Sequence, residues 1–289
     1  MTGDLDSILT GEFGAWHYFF YVLTTLIYVG GLYLIFRNKS DKKKQRVVII
    51  LAFSNLALHF LKLLFQPYWG ELPISVRNLT AENICAVTVM LMPFVYLERK
   101  QNIMHDYMFF AGVAGGLAAF VCMTAKEGAF EVLRFYYCHL TLLAAPVLAA
   151  LFGLWRPRVK YLWAIPLMFF LHLCLILLNE LILMSVGLVE NDVAVLLDRD
   201  FRNASLIFGP PSSMEDHAKF ITALVPKLFQ SDIFGTGIEP FYWPVIWMAI
   251  PVFVYIPLFY TAISAPFDPS FRQKVKGCVL GKKRQNENA

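Results

Sequence analysis

The chain has 289 residues, 58% of them hydrophobic and 16% charged, with a mean hydropathy of +0.56. That balance excludes an ordinary soluble domain and fits an integral membrane protein, in which apolar runs of about 20 residues form spanning helices. The net charge of +4 is modest and gathered in loops, so no nucleic-acid partner is expected.

The stretch from Met1 to Glu12 is acidic, with Asp4, Asp6 and Glu12, and lacks the basic start of a secretory signal peptide. Seven apolar segments follow, over 16–36, 46–66, 80–97, 104–124, 132–154, 161–187 and 241–263. They predict an all-α integral membrane protein, a bundle of seven transmembrane helices forming a single domain over 1–264. The first segment opens with Trp16 and His17. The second carries Asn55, His59 and Lys62 at i, i+4 and i+7, hence on one face. Glu82, Asn83 and Cys85 open the third. Gly112, Gly115 and Gly116 in the fourth predict a close helix contact rather than a ligand site. The fifth carries Arg134, Cys138 and His139, and the sixth His172, Asn179 and Glu180.

The long loop 188–240 contains Ser212-Ser-Met-Glu215, a capping-box pattern. Phe220, Ile221, Leu224, Val225, Leu228 and Phe229 follow at helical spacing. An amphipathic helix near 213–229 is expected there on the outer face, either packed on the bundle ends or lying over the pocket as a lid. Residues 265–289 form a basic tail with Cys278, read as a plain juxtamembrane residue. The five cysteines show no CxxC pair, so no disulfide framework is expected. Asn78-Leu-Thr80 and Asn203-Ala-Ser205 are glycosylation-type triplets.

Loop 37–46 holds Arg37, Lys39, Lys42, Lys43, Lys44 and Arg46. Loops 98–103 and 155–160 and the tail hold most of the remaining basic residues. The positive-inside rule puts these on the cytoplasmic side. The N-terminus is then outside and the C-terminus cytoplasmic, which requires an odd number of spans. At a rise of about 1.5 Å per residue, His59, Cys85, His139 and Asn179 each lie roughly 8–10 Å from the outer end of their segments. Lys62, Glu82, Asn83, Arg134, Cys138 and Glu180 fall in the same layer, His17 at its rim, and His172 nearer the midplane. Asn55 lies one turn below His59. Taken singly, Lys62 and Arg134 read as snorkelling side chains. Polar groups from four helices at one depth predict a shared pocket in the outer half of the membrane.

A thiol beside an imidazole suits nucleophilic attack on an acyl ester or thioester. Cys85 is the expected nucleophile and His139 its base, because Cys138 and His139, adjacent on a helix, point about 100° apart. His59 or Asn179 would orient the imidazole or bind an oxyanion. No HxxxH or HExxH spacing is present, so neither metal nor other cofactor is expected, although the histidines keep metal-dependent lipid chemistry open.

These residues carry a resemblance. Phe13-Gly-Ala-Trp-His17, Asn83-Ile84-Cys85, Arg134-Phe-Tyr-Tyr-Cys-His139, Leu178-Asn179-Glu180 and Pro240-Phe-Tyr-Trp-Pro244 are similar to motifs of the YwaF-like, transmembrane protein 164-like family of integral membrane acyltransferases. Leu79-Thr-Ala-Glu-Asn-Ile-Cys85 keeps the cysteine of a Leu-Pro-Leu-His-Leu-Cys stretch in bacterial relatives, and not its histidine. The resemblance implies seven helices and acyl transfer between membrane lipids, donor and acceptor, through Cys85 and His139. The expected place is a bacterial cytoplasmic membrane, with the pocket facing outward. The alternatives are a non-catalytic transporter or lipid receptor using the same pocket, and a lipid hydrolase.

Overall fold

The computed structural model describes residues 15–65, 74–121, 129–203, 205–233 and 235–273. Among them there is no strand, and seven helices are long: α1 (Ala15–Phe36), α2 (Asp41–Leu61), α3 (Ile84–Leu97), α4 (Ile103–Val121), α5 (Ala129–Leu151), α6 (Ala164–Ser185) and α7 (Ala249–Ser264). Five helical stretches are long and apolar enough to cross a membrane, those of α1, α2, α5, α6 and α7. At 14 residues, α3 reaches about 21 Å, less than the roughly 30 Å of a bilayer core. α4 carries His105 and Asp106 in its first turn and is not among the five. The chain is thus a multi-pass helical membrane protein, with large apolar side chains such as Leu26, Ile27, Phe94, Leu171 and Leu258 exposed on its outside.

Helix boundaries follow local chemistry. The basic run Asp41-Lys-Lys-Lys44 is not loop but the first turn of α2, with Asp41 at the helix start, where negative charge is favoured, and Lys44 paired to it. α3 starts at Ile84 rather than 80 because the Asn83 side chain caps it, accepting from the Ala86 amide at 2.8 Å. α7 starts eight residues later than expected. Pro240 to Val245 stay irregular, and Tyr242 and Trp247 form a small buried cluster with Val225. The Trp247 indole donates to Leu206 O and the Val245 amide to Ile207 O, so the segment spends its polar groups on the preceding loop. Gly209, at φ +112°, lies flat under Tyr242, where a Cβ would sit 2.4 Å from the ring.

The expected helix over 213–229 is shorter, Glu215–Thr222, with Pro226 opening a separate turn at Lys227–Gln230. Ser212 does not form a capping box. Its amide and hydroxyl both donate to Asp200, which holds that carboxyl below its ordinary pKa. Asn203 is buried, donating to Arg199 O and Gly209 O and accepting from the Phe208 amide, so its side chain is unavailable to glycan attachment. The tail from residue 274, with Cys278, and Cys122 lie outside the described residues.

α5 is the central helix, packed against α2, α4 and α1, while α3 sits on α2 and α4, and α7 on α6. The helices alternate in direction. At one end, Gln45 donates to Tyr96 O, Tyr33 stacks on Phe152, and Asp106 binds Arg158. At the other end lie Lys62, the segment 74–83, the start of α5, the end of α6 and the start of α7.

Candidate functional site

The end of the bundle that carries Lys62 contains a cavity of about 600 Å³, lined from α2, α3, α4, α5, α6 and α7 and by Glu82, Asn83, Ser205 and Ile221 from the connecting segments. From α2, the face shared by Asn55, His59 and Lys62 turns inward, and all three are buried. Asn55 Nδ2 donates to Cys138 O at 2.8 Å, which fixes the amide and leaves Asn55 Oδ1 as a buried acceptor with no partner among the described residues. His59 Nε2 lies 3.2 Å from Leu79 O and so is the protonated nitrogen, tying α2 to the segment before α3. Lys62 and Arg134 do not snorkel. Lys62 is 4% exposed and pairs with Glu82 at 3.7 Å, because its position at the close of α2 points it at the neighbouring segment instead of the membrane surface.

Cys85 is the second residue of α3, next to the Asn83 cap, where helix-end amides favour negative charge. The preceding amide, Ile84, donates to Ser205 Oγ at 3.1 Å, which anchors the long loop to the same helix end. Opposite Cys85 stands Gly115 of α4, where an added Cβ would lie 3.4 Å from the sulfur. Gly116 comes so close to α5 that its Cβ would be 3.2 Å from His139 O, and Tyr21 of α1 donates to Gly116 O. Two adjacent glycines thus let α4 approach both Cys85 and the His139 backbone.

From α5 the cavity receives Glu131, Arg134, Phe135, Cys138 and His139. Arg134 grips Glu131 with two nitrogens, Nε at 2.7 Å from Oε2 and Nη2 on Oε1. His139 Nδ1 is 2.9 Å from Phe135 O, and its ring lies 4.2 Å from the Phe135 ring. A carbonyl only accepts, so Nδ1 carries the proton and Nε2 is the basic nitrogen.

Three of the expected polar residues stand elsewhere. Asn179 and Glu180 do not line the cavity. Asn179 Nδ2 donates to Thr80 Oγ1, and Glu180, 1% exposed, accepts from Arg77 Nε and Nη2. Arg77 also reaches Glu82 at 3.2 Å and Arg202 O at 3.1 Å. The result is a buried chain, Lys62–Glu82–Arg77–Glu180, that clamps segment 74–83 onto α6. His172 is buried against the Tyr107 hydroxyl. The His17 side chain lies outside the described residues. Among the described residues, no group of three or more His, Cys, Asp or Glu is placed to hold a metal ion.

The sequence pattern does not single out Arg77 or the apolar walls Phe110, Phe169, Val252, Ile256 and Phe259. Charge inside a long connection was the available signal for Arg77. Apolar residues in apolar helices carry none.

The family model that matches is that of the TMEM164 family, over residues 12–213. The chain belongs to the TMEM164 family. The match takes in α1 to α6 and every cavity residue up to Ser205, while Ile221 and the lining of α7 lie beyond it. No curated protein and no solved structure matches the chain. Family membership and the apolar helices together make it an integral multi-pass membrane protein.

Proposed function

We propose that this TMEM164-family protein is a membrane-embedded lipid acyltransferase with Cys85 as nucleophile and His139 as general base. The observation that carries the reading is that both residues line one cavity whose far walls are apolar. His139 Nε2 takes the Cys85 proton, and the thiolate attacks the acyl carbonyl of a donor lipid. The lyso-lipid alkoxide leaves with that proton, and a thioester remains on Cys85. His139 then removes a proton from the acceptor hydroxyl, which attacks the thioester and releases the thiol. Water in place of the acceptor would give a hydrolase.

Lys62, Arg134, Glu82 and Glu131 surround this reaction with near-balanced charge, suited to a polar headgroup. Asn55 Oδ1 offers an acceptor to a ligand hydroxyl or amine. In this reading all seven helices cross the membrane, α3 and α4 with help from their flanking residues. The basic loops face the cytoplasm, the cavity faces outward, and segment 188–240 roofs it through Ser205 and Ile221.

The test is acyl transfer between labelled phospholipids in vesicles holding the purified protein. Cys85→Ala should abolish transfer, and His139→Ala should lower it by roughly 10²–10⁴-fold. Retention of wild-type turnover by Cys85→Ala would sink the nucleophile and favour a non-catalytic lipid-binding protein.

A further inference from the structure

The cavity has two unlike sides. Polar and charged side chains gather around Cys85 and His139, whereas the lining supplied by α4, α6 and α7 is apolar apart from Tyr255. Along α7 the apolar side runs from Pro251 to Phe259, eight residues or about 12 Å. Along α4, Ala118 to Phe110 covers the same length. A side of that length gives a hydrocarbon chain a surface to lie along.

Three rings of this side meet at its Phe110 and Phe259 end. Phe110 stands edge-on to Phe169 at 5.7 Å and to Phe259 at 6.1 Å. Phe110 is only 2% exposed, and two further rings back it, Tyr260 at 6.4 Å and Tyr107 at 6.2 Å. Those rings are pinned in turn. The Tyr260 hydroxyl donates to Asp106 at 3.1 Å, and the Tyr107 hydroxyl bonds His172 Nδ1. Rings pinned in this way leave Phe110 little room to swing aside, so it stands in the cavity lining as a fixed wall and not as an adaptable side chain.

We propose that Phe110, braced by Phe169 and Phe259, is the end stop that sets the length of acyl chain the cavity accepts. This rests on the acyl-chain reading above. A chain that reaches the stop gains burial with every methylene. One methylene more has no room, and a hydrophobic pocket discriminates at that point by roughly 10–200-fold. Shortening the stop moves the limit outward without touching Cys85, His139 or the charged groups.

Binding of a graded series of radiolabelled saturated fatty acids to purified protein in detergent would test this. In the wild type, affinity should climb with chain length and then drop at a definite limit. Phe110→Ala should move that limit to longer chains, and Phe110→Leu, which keeps most of the packing, should move it less. An unmoved limit in both variants, or wild-type affinity that rises with length and never drops, would overturn the end stop. Cys85→Ser, measured alongside for binding and for acyl transfer, separates the two ideas. A wild-type limit with unchanged turnover in Cys85→Ser means that the acyltransferase reading has failed and the end stop has not.

Discussion

Arg77 holds three elements with one guanidinium. Its short helix, Ile74–Arg77, would otherwise be a loose connection between α2 and α3, yet its side chain joins Glu82, Glu180 of α6 and the carbonyl of Arg202. Removing Arg77 strands the buried Glu180 carboxylate and leaves Glu82 with Lys62, and breaking a buried ion pair from one side costs about 3–5 kcal/mol. Arg77→Met should therefore lower the thermal unfolding midpoint in detergent far more than Lys219→Met, whose exposed pair with Asp216 contributes about 1 kcal/mol or less. Equal shifts would mean that the clamp does not bear on folding. The same residues show what a sequence reveals about a membrane site. Counting along each helix gives depth, and depth placed His59, Cys85 and His139 in the layer where one cavity now includes them. Depth does not give direction. Asn179 and Glu180 lie at the same height but turn toward segment 74–83, and at 100° per residue a helix face can be assigned only once its neighbours are known.

At the scale of elements, α4 and α5 pack closely against each other, and glycine allows it. A Cβ on Gly112 would meet Leu142 O at 2.5 Å and Pro146 Cγ at 2.7 Å, both on α5 and neither able to yield cheaply. Gly112→Val should destabilise the protein by about 1–3 kcal/mol or prevent its assembly. In α1 the control is Gly30, around which nothing lies within 4 Å, and Gly30→Ala should be neutral or mildly stabilising. Thermal unfolding in detergent reads both, and a well-folded Gly112→Val would show that the contact opens at little cost. Small residues in an apolar run announce this packing, so it was legible in sequence. The late start of α7 was not. Pro240 to Trp247 has the composition of a helix opening, but Trp247 and Val245 find their partners in Leu206 and Ile207, about 40 residues earlier in the chain. Segment 213–229 likewise has helical spacing throughout, and Pro226 breaks it.

At the scale of the whole molecule, the end away from the cavity is tied by two buried carboxylates. Asp106, 0% exposed, accepts from the Arg158 side chain and backbone and from the Tyr260 hydroxyl. Asp268, just past α7, accepts from the Val159 amide and from Ser270 and Phe271. Burial raises the Asp268 pKa, but these hydrogen bonds outweigh it and leave the carboxyl below its ordinary value. Its contribution to stability is full above the ordinary carboxylate pKa and disappears as pH falls through the lower folded value. Thermal midpoints taken across that acid range should fall more steeply for the wild type than for Asp268→Asn, and parallel curves would remove Asp268 from the acid response. The basic loops, from which only an expected orientation can be read in sequence, supply Arg158 to this knot, which no charge count foretells, because a cation's partner depends on the fold around it.

The knot joins the start of α4, the connection after α5, and Tyr260 and Asp268 near and beyond the end of α7. At the other end the chain of Lys62, Glu82, Arg77 and Glu180 joins α2, the segment before α3 and α6. Both fastenings are built on charges largely shut away from water, where dissolved ions screen little. Added salt should therefore loosen neither end of the bundle, while it weakens the exposed pair of Lys219 and Asp216.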